Sequence, residues 1–266
     1  MTIVQDRMPT RTRAVARPGI PLSRITATEL RKMLDTRSGF WAVASIAIVS
    51  LLTTGAVILW ADREDLTYRT FTSAITVPMS LILPIIAILS VTSEWSQRSG
   101  LTTFALVPHR WRIILGKLVA SVAVVLLATP VAFAIGAVGN LAGTAIAGVE
   151  PVWDLTAANL LTIELANVLG MLVGFMLGVL VRSSAGALVA YFVYQFLLPT
   201  LALILAAQQE WFADLQPWVD FDFATGALLE GALTSQQWTH LAVTGLIWLV
   251  VPMAVGLRLV VRAEVK

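Results

Sequence analysis

The chain has 266 residues, 58% hydrophobic and only 13% charged, with a mean hydropathy of +0.83. A soluble domain carries about 25% charged residues, so this sequence lacks the charge to cover a water-facing surface, and that class is excluded. The absence of cysteine removes disulfides and thiolate chemistry. His109 and His240 lie far apart without clustered partners, and a net charge of +2 with no groove-sized basic patch gives nucleic-acid binding no support.

Residues 1–21 are polar and Arg-rich, punctuated by Pro9, Pro18, Gly19 and Pro21, and read as a disordered cytoplasmic tail with no signal-peptide core. Over 22–37, Leu22, Ile25, Leu30, Met33 and Leu34 are interleaved with Arg24, Arg31, Lys32 and Arg37. Thr26 and Glu29 stand at capping-box spacing. This predicts an amphipathic interfacial helix on an anionic membrane face, with a solvated cytoplasmic helix as the plainer alternative.

Six apolar stretches follow, at about 40–60, 71–92, 113–138, 159–181, 184–206 and 239–260. Each reaches the roughly 20 residues needed to cross a hydrocarbon core. Backbone groups in lipid must be paired internally, and no alternating ten-residue strands suggest a barrel, so the spans are helices. The Gly- and Ala-rich stretch 139–149 either prolongs span three or forms an outer loop. Sixteen Lys and Arg fall on one side of the spans and two, Arg63 and Arg69, on the other. The positive-inside rule then puts both termini, including a short tail at 261–266, in the cytoplasm. The fold class is an all-α integral membrane protein: an amphipathic interfacial helix, then six transmembrane helices. The outer segment 207–237 mixes Trp211, Phe212, Trp218, Phe221 and Phe223 with acids, predicting short helices resting on or dipping into the outer interface, as a cap or as a gate.

Polar residues inside the spans are few. Glu164 and Asn167 in span four and Tyr191, Tyr194 and Gln195 in span five are the candidates for a translocation path. Glu164 falls near the outer end, where water is expected, and Gln195 is also compatible with an ordinary interhelical hydrogen bond. Gly170, Gly174 and Gly178 recur every four residues and predict close helix packing within the chain. Pro78, Pro84, Pro130, Pro199 and Pro252 each free a backbone carbonyl.

Between spans two and three, residues 93–112 carry the most information. Gly100 can end one helix and Ser99 or Thr102 can cap the next. Leu101, Phe104 and Ala105 then share one apolar face, and Pro108 stops it. A short cytoplasmic helix with such a face suits docking into another protein's groove. Glu94, Trp95, Ser99, Gly100, Thr102 or Thr103, Phe104, Pro108, Arg110 and, further on, Lys117 match the pattern of the cytoplasmic loop in bacterial ATP-binding-cassette permeases of the type-two export family, which this stretch resembles. The match covers residues 93–117. Elsewhere the likeness is architectural, and Ser99-Gly100 stands where Gly-Thr is common.

The resemblance implies a permease subunit in a bacterial plasma (inner) membrane, paired with a second permease copy, with this loop as the coupling helix of a separate ATPase. Glu94, Arg98 and Arg110 would then take part in coupling. No P-loop of the form G-x-x-x-x-G-K-[ST] is present, so ATP and Mg would be held by the partner and no cofactor by this chain. For Arg110, Arg112 and Lys117, snorkelling to anionic headgroups is an equal alternative. An ion-coupled secondary transporter is the competing function, weakened because loop 93–112 has no counterpart after span four. A membrane-embedded enzyme lacks a nucleophile or metal cluster to carry it. The residues name no substrate.

Overall fold

The computed structural model describes residues 21–35, 37–96 and 110–262. The expected tails, apart from Pro21, Val261 and Arg262, lie outside them, as do Arg98, Ser99, Gly100, Leu101, Thr102, Phe104 and Pro108 and the side chains of Glu94 and Arg110. The described chain is almost entirely helical, and six helices are long and apolar enough to cross a membrane. In chain order the helices are α1 (Leu22–Asp35), α2 (Arg37–Trp60), α3 (Tyr68–Ser96), α4 (Arg110–Ala147), α5 (Ala157–Val181), α6 (Ser184–Gln208), α7 (Glu210–Val219) and α8 (Phe221–Glu230). The last, α9, joins Ser235–Gly245, a π-helical turn at Leu246–Val250 and Val251–Arg262. The six with the length and apolarity of spans are α2 to α6 and α9.

The seam between α3 and α5 is the centre of the bundle. Ile75, Met79, Leu83, Ala87 and Val91 recur every fourth residue on α3 and are all buried, facing Met171, Phe175 and Val179 of α5 and Ile114, Val125 and Ala132 of α4. Lipid is as apolar as these side chains, so close packing rather than exclusion of water holds the seam. Glycine makes the approach possible: a Cβ on Gly174 would lie 2.5 Å from the Pro84 carbonyl oxygen, and one on Gly178 would lie 3.2 Å from Val91 Cβ. Gly170 differs. A Cβ there meets nothing within 4 Å, and the residue faces a cavity instead of a helix. Half of the most apolar window is buried in α3 and in α5 but only 6% in α6, which stands at the periphery.

Residues 139–147 continue span three, making α4 a 38-residue helix. The glycines that resemble a loop serve packing: a Cβ on Gly139 would come 2.9 Å from Phe71 Cδ1, and one on Gly143 would come 3.0 Å from Phe71 Cζ. Arg182, at φ 56° in the left-handed region, closes α5, and Ser183 caps α6 by accepting from the Gly186 amide.

Two expectations change in position. Helix α1 starts at Leu22, which leaves Thr26 and Glu29 inside it and rules out their capping box. Ile25, Glu29 and Met33, four residues apart, form its buried face. The segment 207–237 is more than an interfacial cap. Phe221 of α8 packs with Val173 and Met176 of α5, and Trp248 Nε1 of α9 donates to the Val219 carbonyl at 2.6 Å. Val173 and Trp248 lie about 24 Å and 20 Å along their helices, so the α7–α8 turn reaches the mid-length of both spans. Gly231, just past α8, is back beside Asn159 at the N-terminal end of α5. The pair is a re-entrant hairpin, drawn inward by Phe221, Ala224 and Leu228, all buried.

Candidate functional site

Proline chemistry builds the first site. Pro84 has no N–H, so the carbonyl of Ser80, four residues earlier, loses its helical donor. The Tyr191 hydroxyl, buried on α6, donates to that carbonyl at 2.7 Å and lies 3.2 Å from Gln195 Oε1. Pro199 and Pro252 remove donors in the same way from α6 and α9, and in each helix a π-helical turn ends two residues before the proline, Val193–Leu197 and Leu246–Val250. Such turns widen the helix by one residue and occur often at functional sites. They carry Tyr194, Gln195 and Trp248, and the Tyr194 and Trp248 rings lie 6.1 Å apart.

Where these features meet there are two adjoining cavities. The first, about 270 Å³, is walled by the polar side chains of Thr76, Ser80, Asn167, Gln195, Asp222 and Thr225. The second, about 310 Å³, is lined by Leu198, Leu201, Leu205, Phe212 and Trp248 among others, and Tyr194, Phe221 and Asp222 border both. Among the described residues no Lys, Arg or His lines either one. The two acids of the α7–α8 turn have different tasks. Asp220 caps α8, accepting from the Phe223 amide at 3.1 Å and from Gln216 Nε2 at 3.0 Å. The Asp222 carboxylate has no hydrogen-bond or ion-pair partner among the described residues. Burial, with Asp220 nearby, pushes it up to about 6.

Of the five residues expected to line a path, Asn167, Tyr194 and Gln195 are on the polar cavity wall. Tyr191 braces α3 from behind it. Glu164 is apart from it and differs from the sequence reading: both carboxylate oxygens are buried, with the Thr129 hydroxyl beside them, rather than water-exposed. Asn167 Nδ2 reaches Thr129 Oγ1 at 3.4 Å. Sequence reasoning passed over Ser80, Asp222 and Thr225. The signals were present, in the residue four before Pro84 and in the acids set among aromatics at 211–223.

The second site lies at the other end of the bundle. Lys117, about two helical turns past the start of α4 and 2% exposed, donates to Glu29 Oε2 at 2.5 Å and to the Ser90 carbonyl at 3.0 Å. Glu29 Oε1 also accepts from Lys32 at 2.8 Å. Gly116 admits Ile25 so closely that a Cβ would sit 2.7 Å from Ile25 Cγ2. Of the two alternatives for Lys117, snorkelling is overturned: the ammonium points into the protein and ties α1, α3 and α4 together. That junction holds both stems of the segment 97–109. No protein-family model and no curated protein matches the chain.

Proposed function

We propose that this chain is the permease subunit of an ATP-binding-cassette transporter, exporting a substrate across a bacterial plasma membrane with energy from a separate ATPase. The observation that carries the reading is the buried junction of Glu29, Lys117 and the Ser90 carbonyl. A loop that receives force must have stems that move as one body, and this junction joins both stems to α1. Lys117 is also one of the residues on which the resemblance of 93–117 rests. Sixteen cytoplasmic basic residues against two support inward termini, with α1 lying along the cytoplasmic interface on its exposed Arg24, Arg31 and Lys32 face. A second permease copy and ATP with Mg on the ATPase complete the assembly.

Phe104→Ala tests this. An aromatic anchor in a partner's pocket can lose 2 kcal/mol or more on truncation, about a thirtyfold weakening. The variant is expected to co-purify less of the candidate ATPase, or to uncouple its hydrolysis from substrate, with an unchanged melting temperature. Wild-type values in both assays remove the coupling role.

The buried carboxylate of Glu164, inside a span, favours a second reading, an ion-coupled secondary transporter. Uptake driven by a proton gradient into vesicles holding this chain alone, and lost in Glu164→Gln, would select it.

A further inference from the structure

Resting on the transporter reading, we infer that the two cavities meeting at Asp222 form one binding site for an organic cation with an apolar body. The cationic head sits in the polar cavity against the Asp222 carboxylate, and the apolar body lies in the adjoining cavity against Phe212 and Trp248. Charge decides the sign of the ligand. An anion would meet Asp222 and Asp220 with no cationic side chain on either wall, at the mid-length of two membrane spans where such a mismatch is least screened. A neutral ligand would cover the half-buried Asp222 carboxylate without supplying a countercharge, which is costly. A monovalent cation supplies the missing charge.

The remaining wall groups suit an alkylammonium rather than a bare metal ion. Tyr194 and Phe221 border the head position with aromatic rings, which attract cations through their faces. A small hard cation demands several oxygen ligands close around it, whereas one carboxylate with scattered hydroxyls and amides suits a diffuse charge. Each cavity is near the lower end of the roughly 300–1,000 Å³ that small-molecule sites occupy. Together they accept a molecule with a compact head and one aromatic or short alkyl body. The Asp220 carboxylate is engaged as the α8 cap, which leaves Asp222 as the group that reads the charge.

The probe is radiolabelled phenylbutyltrimethylammonium, bound at equilibrium to the purified full-length chain in lipid nanodiscs. Phenylbutanesulfonate, of the same shape and opposite charge, is the comparison. Saturable binding of the cation is expected, with no saturable binding of the sulfonate. Asp222→Asn is expected to weaken the cation about thirtyfold or more, while Asp222→Glu retains binding within a few-fold. Trp248→Phe should weaken the cation modestly through the body site. The sulfonate arm uses only the unmodified chain, so the result does not depend on any variant folding. Equal binding of cation and sulfonate, no saturable cation binding, or an Asp222→Asn variant that binds like wild type would each overturn the assignment. The assay needs neither ATPase nor gradient. If Phe104→Ala leaves ATPase coupling intact, the export reading fails while the cation site can stand, and the reverse outcome is read equally well.

Discussion

The Glu29–Lys117 pair gives an asymmetric prediction. Glu29→Gln removes the carboxylate facing an ammonium that is 2% exposed, and Glu29 itself is 6% exposed at its side chain. Breaking a buried pair from one side costs up to about 3–5 kcal/mol, because the ammonium loses the Glu29 countercharge while its other contacts remain. Lys117→Met is milder. Glu29 keeps Lys32 at 2.8 Å, and Lys32 is 46% exposed, so the stranded carboxylate retains a solvated countercharge. The loss then resembles that of an unmet hydrogen bond, about 1–3 kcal/mol. At roughly 2–4 °C per kcal/mol for a chain of this size, the two variants should melt about 6–20 °C and about 2–12 °C below wild type, with Glu29→Gln the lower. The double variant Glu29→Leu with Lys117→Met should recover most of the loss, since a packed apolar pair often replaces a buried ion pair at little cost. Tryptophan fluorescence during heating in mild detergent reads all three. If Glu29→Gln melts with wild type, or the double variant is no better than Glu29→Gln, the junction is hydrated and the account of it is wrong.

Three further outcomes follow from the same contacts. Gly174→Leu should lower yield and melting temperature, because its side chain must displace the Pro84 backbone 2.5 Å from its first atom; a wild-type melt would show that the seam yields. Tyr191→Phe strands the Ser80 carbonyl and should cost about 1–3 kcal/mol, measured by the same melt and refuted by no change. Asp222 has a folded pKa raised from 3.8 to about 6, so its contribution to stability is present below about pH 4 and is lost as pH rises through about 6. Asp222→Asn should therefore melt above wild type at pH 8 and with it near pH 4. The titratable groups on the elements around Asp222 are Asp220, Glu230, Tyr191, Tyr194, Glu164, Glu210, Asp214, His240, Arg258 and Arg262; burial is the larger cause of the shift, and of these groups Asp220 contributes to it. An identical difference at both pH values would assign the effect to packing rather than charge.

What the sequence makes legible is governed by how local the cause is. The six spans follow from run length alone, and Gly174 and Gly178 follow from four-residue spacing, because each signal sits within one helix. The α4 extension was ambiguous because glycine has opposite meanings in water and in lipid: it breaks a solvated helix but brings membrane helices together, as Gly139 and Gly143 do around Phe71. Glu29 was read as a cap because Thr26 stands three residues before it, while the working capping boxes, Thr156 with Asn159 and Thr234 with Gln237, were overlooked. The depth of the α7–α8 hairpin was out of reach. Its aromatic and acidic texture suits an interface equally well, and only the grip of α5 and α9 on Phe221 and Val219 decides otherwise.

The two sites share one helix, and that connection is testable. Ser90, whose carbonyl receives Lys117, and Ser80, whose carbonyl receives Tyr191, are ten residues apart on α3, or about 15 Å. Pro84 lies between them, where the backbone ladder is already open and where Gly174 presses against α3 from the other side. On the proposed coupling role of the loop, a tilt imposed at its stems would reach the cavity wall through the stretch of α3 that Pro84 opens. Pro84→Ala returns the missing donor to Ser80 and keeps the Cβ that Gly174 meets. An interior proline destabilises a helix by about 3 kcal/mol, so the variant should melt at or above the wild-type temperature. On the proposed permease reading, a stiffer α3 should at the same time transmit less, lowering any hydrolysis that the phenylbutyltrimethylammonium probe stimulates in the candidate ATPase. Unaltered stimulation in a variant that melts higher would mean that α3 moves as a rigid rod and that Pro84 serves packing alone.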